Sequence, residues 1–191
     1  MVLEIIAGFV FLVLLVVGVA YVVSVYNQLV NLDNRADQAR QNIDVVLKQR
    51  QDELTKLIDA AKEYMDYERE VLTELTEARE QAERAATPAE EAAADQQIRQ
   101  ALGSFRARME AYPELRSQEN LLQFQERISA LENQIADRRE VYNEAVTQYN
   151  TRIEQVPYVL FARQFGYEER ELFEATEEEK ADVDVSEAFA R

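Results

Sequence analysis

Residues 22–47 read VVSVYNQLVNLDNRADQARQNIDVVL, and in them an uninterrupted apolar run gives way to apolar residues spaced three and four apart. This spacing places the apolar side chains on one face of an α-helix. Neither Gly nor Pro occurs from residue 27 to residue 86. We therefore expect one long amphipathic helix that continues from the apolar run. Its apolar face comprises Leu29, Leu32, Ala36, Ala39, Ile43, Val46, Leu54, Leu57 and Ala61, and then Met65, Leu72 and Leu75.

The apolar run itself covers residues 5–25 and contains no charged residue. As a helix it would be about 31 Å long, which matches the hydrocarbon thickness of a bilayer. A cleaved signal peptide would have a basic segment before a shorter apolar core, but the charged residue that precedes this run is Glu4. The sequence therefore predicts that residues 1–26 are an uncleaved single-pass anchor in the lipid bilayer of the cell membrane.

Arginines near the end of the run predict its orientation. Arg35 and Arg40 follow the run, whereas no Lys or Arg precedes it. Because basic residues near a membrane helix favour the cytoplasmic side, we expect the N-terminus outside and the rest of the chain in the cytoplasm.

The composition excludes several classes of function. The 191 residues include no Cys, no His and no Trp. Disulfides, metal sites that need imidazole or thiolate, and His-dependent catalytic sets are therefore excluded. We predict no catalytic residues, no cofactor and no metal, although an enzyme that uses carboxylates stays open. The formal net charge of -16 makes nucleic acid an unfavourable partner. This acidic, Lys-poor composition is also expected of a halophilic protein, or else of an acidic, Arg-preferring genome.

Prolines and capping residues divide the soluble part into helices. Thr87 can cap a helix that begins at Pro88, and Glu90 completes a capping box. This second helix ends at Pro113, and a third, capped by Ser117, covers residues 118–155 before Pro157. A short apolar segment follows as a fourth element. The expected fold is all-α, with residues 27–167 forming an antiparallel bundle of three long helices and a short C-terminal helix.

The last 24 residues, 168–191, hold ten acidic and three basic residues. This composition predicts an acidic C-terminal tail outside the packed core. Val183 and Val185 alternate with acidic residues and could form a short strand.

The dipeptide Tyr-Asn occurs at Tyr26, Tyr142 and Tyr149. All three tyrosines fall on predicted apolar stripes, so their rings should face the helix seam. The hydroxyls can then reach solvent or a backbone carbonyl. Alternatively, this end of the bundle is a docking surface whose Asn amides bond to a partner chain.

Two arginines, Arg50 and Arg138, also fall on these stripes. Each can extend its head group to water while its stem covers apolar surface. Alternatively, they form a polar layer that fixes helix register, with partners among Asp44, Asp52 and Glu132.

The first helix is longer than the helices available to cover it, so part of its apolar stripe would be exposed in a monomer. An exposed apolar patch usually marks an interaction surface. We therefore expect a homo-oligomer whose contacts involve Tyr26, Leu29, Leu32 and Ile43, extending into the membrane helices at Gly8 and Gly18.

Several segments together resemble the LemA family. They are YNQLVNL (26–32), NIDVVLKQRQDEL (42–54), EAYPELRSQENLLQFQERISALENQI (110–135) and RREVYNEAVTQYNTRI (138–153), followed by VP and FGY. The resemblance implies one membrane helix followed by a helical bundle, no established enzymatic activity, and roles in membrane organisation proposed for some members. The chain departs from the family pattern at Arg40, Thr55 and Tyr67, where Trp, Pro and His are usual.

Two non-enzymatic functions are consistent with these features. The first is a membrane-anchored scaffold that assembles with itself and organises membrane or recruits partners. The alternative is an adaptor subunit bound to another membrane protein, such as a protease or a transporter.

Overall fold

The computed structural model describes residues 2–62, 69–111 and 118–173. In these residues the chain forms five helices and no strand: α1 (Val2–Lys62), α2 (Arg69–Arg84), α3 (Pro88–Ala111), α4 (Glu119–Glu154) and α5 (Tyr158–Phe165). This confirms the all-α fold, with a long apolar helix at the N-terminus.

The predicted helix boundaries agree with the structure where the chain is described. The segment expected to be one helix through residue 86 is recorded as α1, which ends at Lys62, and α2, which begins at Arg69. The residues between them, the expected Ser117 cap and the expected strand at 183–185 lie outside the described residues. α1 passes through Thr55 as continuous helix, as expected for a chain without the usual proline.

The predicted capping box begins α3. The hydroxyl of Thr87 accepts a hydrogen bond from the Glu90 backbone N–H at 3.2 Å. One carboxylate oxygen of Glu90 accepts from the N–H groups of Ala86 and Thr87, at 2.9 and 3.2 Å. These backbone hydrogen bonds favour the ionised carboxylate and lower the pKa of Glu90.

The apolar stripe predicted for α1 is buried almost throughout. Leu29, Ala36, Ile43, Leu54 and Leu57 have no exposed surface, while Leu32 is half-buried. The chain itself therefore covers the face that was expected to be partly free.

The described residues divide into two compact units. The first comprises residues 2–42 and 140–171, and the second comprises the described residues of 43–139 with Leu172 and Phe173. In the second unit α2 packs against α3. Glu53 pairs with Arg127, and Val46 packs with Leu131 and Ile135, so α1 and α4 run antiparallel there.

The second unit has one main core, to which α1, α2, α3 and α4 all contribute. Its buried members include Leu54, Leu57, Ile58 and Ala61 of α1, Val71, Leu75 and Ala78 of α2, Ile98, Leu102, Phe105 and Met109 of α3, and Leu121 and Ile128 of α4. The first unit has a smaller core of Leu29, Tyr149, Ile153 and Ala162.

Candidate functional site

The end of the apolar run is joined directly to the packed core of the first unit. Every residue from Val2 to Ser24 is exposed, whereas Val25 is only 2% exposed. α1 is a described helix whose length and composition suit a membrane span. The folded part thus begins at Val25, the last residue of the apolar run, and no linker separates the run from the folded part.

The short helix α5 packs against α1 at this junction. The Tyr158 hydroxyl donates a hydrogen bond to Gln28 Oε1 at 2.6 Å. At the other end of α5, the Phe165 ring meets the Tyr26 ring edge-on, with 5.4 Å between centroids. The guanidinium of Arg152 lies 4.8 Å from the centre of the Tyr158 ring. Polar and aromatic contacts therefore hold α5 beside the start of the folded part of α1.

Gly166 reverses the chain after α5. Its φ of 73° and ψ of 28° are left-handed values that glycine adopts without a Cβ clash. The Tyr167 N–H then donates to the Ala162 carbonyl at 3.0 Å, which closes the helix end. The turn sends the following residues back along α4.

Two side chains of α4 bind the backbone of this returning segment. The Tyr142 hydroxyl donates to the Glu171 carbonyl at 3.0 Å, and the Tyr149 hydroxyl donates to the Glu168 carbonyl at 2.9 Å. Because residues 142 and 149 are two helical turns apart, they hold the segment at two places. Of the three tyrosines predicted to face the seam, Tyr142 and Tyr149 are buried, at 6% and 2% exposure.

Asn150 makes a reciprocal pair with the backbone of Arg170. Its amide nitrogen donates to the Arg170 carbonyl at 2.9 Å, and its amide oxygen accepts from the Arg170 N–H at 3.0 Å. The second Tyr-Asn dipeptide of α4 therefore binds this chain's own C-terminal segment through both of its side chains.

The Arg170 side chain links the same segment to α1. Its two terminal nitrogens lie 2.6 Å from Asp37 Oδ1 and Asp33 Oδ1, and its guanidinium lies 5.4 Å from the centre of the Tyr149 ring. Partial burial opposes the charged form, but the hydrogen bonds that Arg170 donates to Asp37 and Asp33 outweigh it and raise the pKa of Arg170. Burial, reinforced by the charge of Asp33, also raises the pKa of Tyr149. The phenol is thus held neutral as a donor. We call Tyr142, Tyr149, Asn150 and Arg170 the C-terminal clasp.

A separate charged cluster is buried in the second unit. Asp95 of α3 lies 2.6 Å from Arg50 Nη2 and 2.5 Å from Arg139 Nη1. Arg139 also lies 3.9 Å from Glu91 and 4.6 Å from the centre of the Phe173 ring. We call Arg50, Asp95, Arg139 and Glu91 the buried ion cluster.

The polar layer expected around Arg50 is therefore present, but with different members. Arg138 is exposed, and Arg139 is the arginine of α4 that joins the cluster. Arg139 lies four residues after the buried Ile135 and therefore on the same face of α4. The partner of Arg50 is Asp95, rather than Asp44, Asp52 or Glu132. Glu132 lies close enough for Arg50 to influence it electrostatically, but its burial raises its pKa.

The residues expected to form an interface between copies lie in different surroundings. Leu29 is fully buried against Tyr149, Ile153 and Ala162, and Ile43 is fully buried in the second unit. Leu32 is half-buried against the first core. Tyr26 is 42% exposed, because Val25 rather than Tyr26 begins the buried stripe. Most of the apolar face of residues 26–50 is therefore covered within the chain. The prediction considered only the long helices as cover for α1, whereas the short helix α5 also packs against it.

Sequence reasoning missed Asp95, Arg139 and Arg170. A signal existed for Asp95, because it precedes Ile98 by three residues and so extends the α3 stripe with a charge. Arg170 carried no such signal, since it lies in a segment that composition assigned to an acidic tail. That segment's first residues, 168–173, instead pack against the fold, and Phe173 is 5% exposed.

The described residues contain no group of three acidic side chains that could hold a metal ion. Their most buried carboxylates, Asp95 and Glu91, lie beside arginines. Most of the large apolar side chains that are exposed in the described residues lie near the N-terminal end of α1, in residues 2–26.

The chain is similar to known proteins over most of its length. The LemA family model matches residues 39–186. The chain is similar to the protein named Protein LemA from Metamycoplasma hominis, with 29% identity over 185 residues that cover 94% of this chain and 83% of that protein. Because the family match spans well over half of the sequence, the chain belongs to the LemA family.

Proposed function

We propose that the chain is a non-enzymatic, membrane-anchored scaffold that assembles with further copies of itself and organises membrane or recruits partners. The observation that carries this proposal is α1 itself. One helix contains both the exposed part of the apolar run, residues 5–24, and the buried stripe that begins at Val25. An anchor built into the fold in this way would hold the first unit directly against the bilayer.

The proposed orientation places the N-terminus outside and the helical bundle in the cytoplasm, because Arg35 and Arg40 follow the span. The chain has no native cysteine, so single cysteines can report the sidedness. We expect Leu3→Cys to react with an impermeant thiol reagent in intact cells, and Gln134→Cys, an exposed site on α4, to react only after lysis. The opposite labelling pattern would place the bundle outside.

Assembly is proposed to occur through the membrane segment, because the buried Leu29 and Ile43 are not available for it. A Cβ atom built at Gly8 or at Gly18 meets nothing within 4 Å. Small residues on a membrane helix allow another helix to approach closely. Confinement to the bilayer also raises the local concentration of copies.

The test is the native mass of the full-length protein in mild detergent and in lipid nanodiscs. We expect an oligomer, and we expect Gly8→Leu together with Gly18→Leu to reduce its size. Since the chain itself leaves space for both leucines, any loss of association reports contacts with another molecule. The matched control is Val13→Leu, which enlarges an exposed position about 140° round the helix from both glycines.

Two results would contradict the scaffold. A wild-type protein that is monomeric in both environments has no self-assembly to support it. Crosslinking that yields a stoichiometric complex with a different membrane protein would favour the adaptor function instead. We expect crosslinked copies of this chain.

A further inference from the structure

Three large apolar side chains on and beside α5 are mostly exposed. Val156 is 81% exposed, Leu160 is 65% exposed and Phe165 is 57% exposed. Val156 lies in the turn that precedes α5, and Leu160 lies in the first turn of α5. We call these three residues the α5 apolar patch. Such a patch on an acidic chain indicates an interaction surface.

The contacts between α5 and α1 fix the depth of this patch relative to the proposed span. Phe165 meets Tyr26 and Tyr158 meets Gln28, which are the first and third residues after the run of 5–25. At a rise of about 1.5 Å per residue, both lie within about 5 Å of the end of the run. The polar region of each leaflet is about 5–8 Å thick. α5 therefore lies at the level of the lipid headgroups.

The same contacts give the direction of α5. Its ends, Tyr158 and Phe165, are about 10 Å apart along its axis, but they meet α1 at residues only about 3 Å apart along that helix. α5 therefore crosses α1 rather than following it. Because the contacts rise only about 3 Å along α1 over the whole length of α5, α5 lies close to the bilayer plane when α1 spans along the bilayer normal.

The charge of this segment also suits a lipid surface. Residues 155–167 contain Arg163 and no acidic residue, although the whole chain has 37 acidic residues. Arg163 is exposed and lies three residues after Leu160, on the same side of α5. An amphipathic helix with a basic residue beside its apolar side chains is suited to the boundary between headgroups and acyl chains.

From these observations we infer that α5 is an interfacial helix whose apolar patch inserts into the headgroup region of the bilayer that α1 crosses, on the side where α1 leaves it. This inference rests on the proposed anchoring of α1. Two attachments, one spanning and one interfacial, would fix the rotation and tilt of α1, which a span alone does not set.

The experiment uses the full-length chain, which has no native Trp, in vesicles of phosphatidylcholine and phosphatidylglycerol that carry brominated acyl chains. Leu160→Trp is the probe, and Val156→Trp is a second probe in case the first perturbs α5. Phe11→Trp marks the span, and Val45→Trp marks an exposed position of α1 about 30 Å beyond it. Circular dichroism checks that each variant keeps its helicity.

We expect blue-shifted emission from Leu160→Trp and stronger quenching by bromines near the headgroups than by bromines deep in the chains. Phe11→Trp should be quenched most by deep bromines, and Val45→Trp should be unquenched. If Phe11→Trp is quenched while neither α5 probe is, the inference is overturned and the anchor stands. If an α5 probe is blue-shifted without quenching, a second copy covers the patch and the inference is equally overturned. If Phe11→Trp is itself unquenched, the anchoring proposal fails, and the inference fails with it.

Discussion

Replacement of Asp95 by Asn tests the buried ion cluster. Asp95 is the carboxylate that Arg50 and Arg139 share, at 2.6 and 2.5 Å. The Arg50 and Asp95 side chains are 3% and 4% exposed. Asn has nearly the same volume as Asp, so the change removes the negative charge without creating a cavity. Two arginines would then face each other across a neutral amide.

The expected loss follows from the burial of Arg50. Removing one partner of a buried ion pair costs about 3–5 kcal/mol of unfolding free energy, because the remaining charge is left uncompensated away from water. The matched control is Asp52→Asn, whose partner Lys48 lies at 3.2 Å in a pair exposed by 68% and 55%. An exposed pair of this kind contributes about 0.2–1 kcal/mol. Asp95→Asn should therefore destabilise the protein several times more than Asp52→Asn.

The assay is urea unfolding of the full-length protein in mild detergent, followed by circular dichroism. Exchange of the whole pair, Arg50→Met with Asp95→Leu, should recover most of the lost stability, because apolar residues of similar volume can replace a buried pair at little cost. Arg139 can tolerate this exchange, since it is 16% exposed and also lies near Glu91. If Asp95→Asn costs no more than the control, the cluster is solvated and the reasoning from burial is wrong.

Three further predictions concern other parts of the fold. Tyr149→Phe should lower the unfolding free energy by about 0.5–1.5 kcal/mol, since it removes one hydrogen bond. Ile128→Ala, at a fully buried core position, should lower it by about 2–5 kcal/mol. Equal losses in the same urea assay would contradict this ranking. The pKa of Glu90 is lowered in the folded state, so its carboxylate should stabilise the fold at pH values above its usual pKa of 4.5. This stability should be lost as the pH falls through the pKa of the folded state. Glu90→Gln should therefore flatten the acid limb of a stability–pH curve, and an unchanged limb would count against the cap. If the net charge of -16 reflects adaptation to salt, helicity should increase with salt concentration; full helicity in dilute buffer would favour the genomic alternative.

The helices could be predicted from the sequence because their signals are local. The three-and-four spacing in α1 and the capping box at Glu90 each depend on residues within a few turns of one another. The structure accordingly confirms the buried stripe of α1 and the cap that begins α3. It also records α4 at residues 119–154, one residue inside the predicted limits at either end.

The side-chain partners could not be predicted in the same way, because they depend on helix phase and on contacts between distant residues. A stripe predicted from spacing alone leaves the choice between adjacent residues open. That choice separates the exposed Arg138 from Arg139 of the buried ion cluster. Similarly, Arg50 and Asp95 are 45 positions apart in the sequence, so no local pattern connects them.

The C-terminal clasp was hidden for a different physical reason. Tyr142, Tyr149 and Asn150 bind the carbonyls of residues 171, 168 and 170, together with the N–H of residue 170. Every residue except proline offers these backbone groups, so such contacts leave almost no mark on the sequence of the segment that is bound. The repeated Tyr-Asn dipeptide of α4 is visible in the sequence, but it marks only the helix whose side chains make these hydrogen bonds and not the segment that they bind.

Charge explains the position of Arg170 in this arrangement. Residues 168–171 read EERE, and this segment lies against a part of α1 that presents Asp33 and Asp37. Without an intervening cation, three glutamates would approach two aspartates, and this repulsion would oppose the hydrogen bonds to the backbone. Arg170 places one guanidinium within 2.6 Å of each aspartate, so attraction replaces repulsion where the two segments meet. The composition of residues 168–191 predicts an unpacked tail because it averages over the whole segment. The packing of residues 168–171 depends instead on the position of their one positive charge, Arg170.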